Sequence, residues 1–209
     1  MAAYFRTTAV HLNGAAGYSR QSAPRRRSAE ARRSDIPLAW HDAARDEPAC
    51  ELLSNTLGSA CELIDARSGF VLVLREETTL EIACTRALQP QELLDCLLGV
   101  AARALHRTLA WSEPGLADGE GTLLRRTEGT AECGVPAVVS LPLHLGLRQR
   151  GALCLMRSGA QRALSELDFE ILEALAGQAE LALGAASQRC ALSRLEASLT
   201  AAAPTPSAP

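Results

Sequence analysis

The sequence predicts an α/β domain of the α+β type. Two observations support this prediction. Short apolar runs rich in strand-forming residues occur in the chain, and other segments repeat their apolar residues every three or four positions. The resulting order is a helix, two strands, a helix, an irregular segment with a short strand, two more strands and a long helix. With 209 residues, the chain is long enough for one such domain with tails.

The first segment, residues 1–44, is rich in Arg and Ser and shows no apolar periodicity. We expect it to be a disordered leader that the fold does not need. A start codon assigned too early, a transit peptide and a basic arm for nucleic acid remain alternatives for this segment.

The first half of the folded body is predicted to run from residue 46. A helix over 46–66 is indicated by apolar residues at helical spacing and by the acids and proline at its start. Two strands are predicted within 68–87, because a continuous apolar run is followed by two acids that suit a turn. Gln89-Pro90 then opens a helix over 91–108.

The second half begins with residues 112–134, which are irregular and rich in Gly around a short strand at 122–126. Two strands follow in "VVSLPLHLGLRQRGALCLM", residues 138–156, where Leu and polar residues alternate before Gly146. A helix of about 35 residues comes next, over 165–200, with Ser165 as its N-cap. Within it, residues 191–200 are predicted to be a coiled-coil-like extension, and 201–209 a disordered tail.

Composition excludes several enzyme classes. All 21 basic residues are Arg, and the chain contains no Lys. A phosphate-binding loop of the GxxxxGK[ST] type, a Schiff-base lysine and an S-x-x-K acyl enzyme therefore have no candidate. Scarcity of Lys and Asn is typical of a GC-rich genome.

Charge and cysteine spacing limit the partners and the location. Residues 46–209 contain 13 Arg against 21 acidic residues, which argues against direct nucleic-acid binding. No apolar run approaches the roughly 20 residues of a membrane span. The seven Cys include no CxxC pair, so a zinc site or a disulfide scaffold is not indicated. We expect a cytoplasmic protein with reduced thiols.

The C-terminal half resembles a GAF domain, the small-molecule sensor module of signalling proteins. That family combines Pro-Leu, a short turn, Gly with an apolar strand, and a helix of the form Asp-x-x-x-Leu-x-x-Leu-Ala-x-Gln-Ala. The matching residues are Pro142-Leu143, Gly151-Ala152-Leu153, Asp168, Leu172, Leu175-Ala176, Gln178 and Ala179. The resemblance covers about residues 46–190, and the motifs are packing motifs that specify a fold rather than a ligand.

The resemblance implies a central antiparallel sheet of about five to six strands. Helices 46–66 and 165–200 would pack on one face, while helix 91–108 and the loops would enclose a ligand pocket on the other. In that arrangement Leu141, Leu143 and Leu145 would face the first pair of helices, and Ser140 and His144 would face the pocket. Alternatively, His144 is simply exposed or bonded to a backbone carbonyl.

Three further residues are candidates for ligand binding. Trp111 could stack on a ligand or act as a core or lid residue, and Arg125, with Arg126, could meet an anion or be ordinary solvated surface. Cys133 lies roughly where some GAF enzymes place a thiol. The four His show no metal-binding spacing, and no cofactor is indicated.

We therefore expect a non-catalytic regulatory module of bacterial signal transduction that senses an unidentified small molecule and signals through its long C-terminal helix. A thiol enzyme resembling the reductases of free methionine sulfoxide, and a ligand-free scaffold, are the alternatives. The acids Glu128 and Glu132 disfavour a thiolate at Cys133.

Assembly is predicted from the end of the long helix. Exposed leucines at 192, 195 and 199 would be covered in a homodimer, with the helix over 46–66 added to form a four-helix bundle. A partner kinase or transcription regulator would receive the signal.

Overall fold

The structure, a computed structural model, describes residues 39–75, 79–125, 135–146, 149–158 and 162–202. The helices of these residues are α1 (Glu47–Leu63), α2 (Pro90–Leu98), α3 (Ala102–Trp111) and α4 (Glu166–Ala202). The strands are β1 (Ala39–Trp40), β2 (Ala66–Arg75), β3 (Thr79–Arg86), β4 (Gly115–Ala117), β5 (Leu123–Leu124), β6 (Val138–His144) and β7 (Gln149–Arg157). A short 3-10 helix, Asp42–Ala44, separates β1 from α1.

The strands form one sheet in the order β1-β3-β2-β7-β6-β4-β5. Neighbours are antiparallel except for the β1–β3 pair. The predicted fold class is confirmed, although the described residues contain seven strands rather than five to six. The short β5 lies within the strand predicted at 122–126, whereas β1 and β4, with two and three residues, are too short to produce a sequence pattern.

Helices α1 and α4 cover one face of the sheet, as predicted. Leu53 and Leu57 of α1 are fully buried and belong to the same apolar cluster as the buried stripe of α4. The three leucines of the β6 segment lie on this face: Leu141 and Leu143 are buried in the cluster, and Leu145 packs against it. The alternation of this strand was therefore interpreted correctly for its apolar residues.

Helices α2 and α3 cover the opposite face. Leu93 of α2 and Leu105 of α3 pack with strand residues such as Phe70, Leu72 and Cys154 in a second apolar cluster. Because these side chains fill the centre of that face, the open space on it lies beside the helices rather than beneath their middle.

The helix predicted over 91–108 is two helices, which is a correction. The chain leaves α2 at Gly99, whose amide donates to the carbonyl of Cys96, and enters α3 at Ala102. A Cβ atom at position 99 would lie 2.6 Å from the carbonyl oxygen of Asp95, so only glycine fits this break without a shift. The apolar spacing continues across the break and concealed it.

The predicted leader, residues 1–44, extends too far along the chain, which is a second correction. Residues 39–44 belong to the folded body: the His41 amide donates to the carbonyl of Ile82 at 2.8 Å, and His41 and Ala43 are almost completely buried. The remaining part of the predicted leader, residues 1–38, lies outside the described residues.

The long helix is continuous. Its predicted N-terminal cap is confirmed, since Ser165 Oγ accepts from the Asp168 amide and the Asp168 carboxylate accepts from the Ser165 amide. The predicted extension 191–200 is helical, and α4 ends at Ala202, two residues inside the predicted tail; residues 203–209 lie outside the described part. None of the described helices combines the length and apolarity that crossing a membrane would require.

Candidate functional site

A pocket of about 370 Å³ lies between α2 and the end of the sheet where the central strand β2 begins and the central strand β7 ends. Ser68 of β2 and Met156 of β7 line it, and these two residues are cross-strand partners. Leu88 and Val100 add apolar surface. We call this cavity the Ser68 pocket.

The Ser68 hydroxyl is the polar group that distinguishes this pocket. Ser68 is only 2% exposed, and its Oγ has no hydrogen-bond partner among the described residues. A buried hydroxyl without a partner is destabilising by about 1–3 kcal/mol, so folded proteins rarely retain one unless a water or ligand satisfies it. The position of Ser68 on the pocket wall makes a bound molecule a suitable partner.

Helix α2 presents its polar side chains to the same pocket. Cys96 is half-buried there, and burial raises the pKa of its thiol, although nearby Arg67 acts in the opposite direction. Glu92 and Asp95 also line the pocket, and Glu92 fixes the start of α2 by accepting from the Gln89 amide at 2.9 Å. The thiol is therefore protonated near neutral pH, and the pocket combines an apolar lining with a mixed polar rim.

A second pocket, of about 450 Å³, lies on the outer surface of α3. Arg103, His106 and Trp111 line it, together with Arg107, which forms an ion pair with Glu113 at 2.8 Å. Trp111 is 70% exposed. We call this cavity the Trp111 groove; no lining residue among those described is a buried polar group without a partner.

Ser140 and His144, predicted to face the pocket together, are not brought together. Ser140 is fully buried on the α3 side, where its backbone oxygen accepts from Thr108 Oγ1, and its own hydroxyl has no partner among the described residues. His144 instead contacts α4: its amide donates to Glu180 at 2.6 Å, and its ring lies 3.2 Å from the same oxygen. The orientation predicted for His144 is therefore wrong, because the last residue of the strand turns towards α4.

Of the other predicted binding residues, Trp111 and Arg125 do not line the Ser68 pocket. Trp111 lies in its own groove, and Arg125 is exposed after β5. Cys133 and Arg126 lie outside the described residues. Ligand binding by these side chains stays a prediction. Within the described ranges, no group of three or more His, Cys, Asp or Glu could hold a metal ion.

The end of β7 links the Ser68 pocket to the start of α4. Arg157, next to Met156, is buried and donates to the carbonyls of Ile64, Pro136 and Arg162 at 2.7 to 3.3 Å. Arg162 in turn binds the Asp168 carboxylate in the first turn of α4. This ion pair holds the pKa of Asp168 well below its usual range. Arg157 and Arg162 thus connect the residue after Met156 to the first turn of α4.

On the opposite face of the sheet from the pocket, β2 is in direct contact with α1. A Cβ atom at Gly69 would lie 2.9 Å from Leu57 Cδ1, so the helix packs against the strand backbone next to Ser68.

Ser68 was not among the binding residues predicted from the sequence. The only indication in the sequence is that Ser68 is polar and lies two positions before Phe70. Its side chain therefore shares the face of the strand that was predicted to line the pocket.

No protein-family model matches the chain, and no curated protein matches it. Solved structures do match. The photoproduct state of GAF3 from Slr1393 of Synechocystis sp. PCC6803 is 18% identical, covering 70% of this chain and 98% of that chain, with a TM-score of 0.45. The GAF domain/HD domain protein of Geobacter sulfurreducens is 14% identical, covering 67% and 94%, with a TM-score of 0.45. The GAF domain of a sensor histidine kinase from Pseudomonas syringae pv. tomato is 21% identical, covering 72% and 95%, with a TM-score of 0.42.

Proposed function

We propose that this chain is a non-catalytic regulatory module of bacterial signal transduction that binds a small molecule in the Ser68 pocket. The observation that supports this most directly is the buried Ser68 hydroxyl, which lacks a partner and lies on the wall of an open cavity. Apolar lining residues and a few convergent polar groups are the composition expected of a small-molecule site. The mixed rim, which combines Arg67 with two acids, suits a compact ligand that carries hydrogen-bonding groups.

The signal would leave the pocket through the helices on the opposite face of the sheet. Ser68 adjoins the contact between β2 and α1, and Met156 adjoins the arginine pair that ends at the first turn of α4. Helices α1 and α4 also contact each other. A ligand that moves either strand end would therefore shift α4, which a partner kinase or transcription regulator would detect. A cytoplasmic location is part of this proposal.

Protection of Cys96 from alkylation tests the proposal. Small-molecule fractions from the source cells are added before iodoacetamide, and each cysteine is followed by peptide mass spectrometry. A fraction with the binding compound at about ten times its Kd should slow Cys96 labelling about tenfold. Cys190, a half-buried thiol on α4, is the internal control and should label at an unchanged rate.

Two matched variants connect the protection to Ser68. Ser68→Ala and Thr56→Val each remove a buried hydroxyl that has no partner, so each should raise the free energy of unfolding of the ligand-free protein by about 1 kcal/mol. Only Ser68→Ala should weaken the protection of Cys96, by about 2–10-fold in Kd, since Thr56 lies on α1, away from the pocket. If no fraction protects Cys96, or if both variants bind equally well, the proposed site is wrong.

A thiol enzyme is the alternative function, and we expect no such activity. Burial raises the pKa of Cys84 to about 11 and also raises that of Cys96, so neither is a ready nucleophile. The third candidate thiol, Cys133, lies outside the described residues. The reduced protein should release no methionine from free methionine sulfoxide in the presence of a thiol-recycling system. Turnover that is abolished by Cys133→Ser would establish the enzyme instead.

A further inference from the structure

The outer face of α4 carries an apolar stripe that nothing in the described residues covers. The large members of the stripe are Leu167, Ile171, Leu181, Leu192, Leu195 and Leu199. Their exposed fractions run from 39% for Ile171 to 74% for Leu181. Single exposed leucines are common on protein surfaces, but a row along one helix marks an interaction surface.

The stripe follows the spacing of a coiled coil over its whole length. Between the large residues lie Ala174, Gln178, Ala185 and Gln188, so that the ten positions alternate in steps of three and four. None of the ten is charged. From 167 to 199 the stripe is about 48 Å long at 1.5 Å per residue. The prediction from sequence placed this seam only at its last three leucines.

Two glycines beside the stripe support contact with a second helix. Gly177 and Gly184 lie in the interior of α4, where glycine is the least favourable residue other than proline. A Cβ atom at either position would meet nothing within 4 Å, so packing against the described residues does not require glycine there. Ala191 and Ser198 continue the same row at seven-residue intervals. Small residues in such a row allow two helix backbones to approach closely.

We propose that this face binds a second copy of the chain, with the two α4 helices antiparallel and a two-fold axis near Leu183. The stripe is suited to this pairing because it matches itself when read backwards. The facing pairs, with the second residue from the second copy, are Leu167 with Leu199, Ile171 with Leu195, Ala174 with Leu192, Gln178 with Gln188, and Leu181 with Ala185.

The antiparallel pairing packs better than a parallel one. In a parallel pair, Ala174 would face Ala174 of the second copy and Ala185 would face Ala185, which leaves two poorly filled layers in the interface. The antiparallel pairing places a leucine opposite each alanine. The amides of Gln178 and Gln188 meet and can satisfy each other. Near the axis Gly184 faces Gly184 of the second copy.

The size of the surface is adequate for a dimer. A footprint about 48 Å long and about 10 Å wide covers on the order of 500 Å² on each copy, so the pair buries on the order of 1,000 Å², which is the lower end for a specific interface. The dimer does not depend on the proposed ligand, and its failure would leave Cys96 protection unaffected.

Sedimentation velocity of the full chain at micromolar concentration tests the interface. The wild type should be a dimer, and Leu181→Glu with Leu195→Glu should be a monomer. Ala197→Glu, which adds a charge to an exposed position of α4 outside the stripe, is the matched control and should remain dimeric. Gly184→Leu should weaken the dimer about tenfold or more, because the new side chain holds the helices apart, without lowering the helicity measured by circular dichroism.

Disulfide mapping tests the direction of the helices. A mixture of Ala174→Cys protein and Leu192→Cys protein, mildly oxidised, should give 174–192 cross-links between copies, and the native cysteines serve as the reference. Cross-links of 174 with 174 and of 192 with 192 would overturn the antiparallel arrangement. A monomeric wild type, or a dimer that persists in the Leu181→Glu and Leu195→Glu double variant, would overturn the interface itself.

Discussion

Replacing Arg157 with Met is expected to lower the free energy of unfolding by about 3 kcal/mol, since buried groups that lose their partners cost about 1–3 kcal/mol each. Arg157 is only 4% exposed, and its guanidinium donates to three carbonyls from three separate segments. Those segments are the end of α1, the chain before β6 and the chain before α4. Methionine fills a similar volume, but it offers no donor to any of these oxygens.

Arg150 on the same strand provides the control. It is exposed and donates to the carbonyls of Leu109 and Ala110, both at 3.0 Å. Because water can donate to these two carbonyls in its place, Arg150→Met should lower the free energy of unfolding by less than about 1 kcal/mol. The measurement is urea unfolding followed by circular dichroism. Similar losses in the two variants would show that the buried network adds no stability beyond that of a surface arginine.

The long periodic elements were predictable from the sequence, because their pattern reflects burial on one face. Helices α1 and α4, the strand pairs β2–β3 and β6–β7, and the orientation of Leu141 and Leu143 all follow from local spacing. The predicted α+β class depended on these elements alone. The break at Gly99 was missed because apolar spacing continues through it, and only the approach of the Asp95 carbonyl reveals the need for glycine.

The candidate site was less predictable because its residues converge from distant parts of the chain. Ser68, Cys96 and Met156 come from a strand start, a helix and a strand end, and none has a local motif. Ser140 was recognised as a polar residue on the correct face, but α3 packs over it, so it does not line the Ser68 pocket. His144 was misplaced because strict alternation does not hold at the last residue of a strand, where Glu180 of α4 is the nearer partner.

Deleting residues 1–44 is expected to cost about 3 kcal/mol relative to deleting residues 1–38, which corresponds to a fall in the thermal midpoint of about 6–12 °C. The six residues between these end points form part of the sheet and core. They pair with β3, bury Ala43 in the cluster beneath α1 and α4, and place Asp42 3.2 Å from Arg194 of α4. Their removal exposes apolar surface and frees the edge of β3.

Differential scanning calorimetry of the two truncated proteins measures this difference, and the full chain shows whether residues 1–38 contribute at all. Ala43→Glu in the full chain is an independent test, because it places a charge at a fully buried position without shortening the protein. It should lower the midpoint by a similar amount, since an unpaired buried carboxylate is strongly unfavourable. If the two truncated proteins melt within about 2 °C of each other, residues 39–44 stabilise the fold by less than about 1 kcal/mol, and the folded body effectively begins at α1.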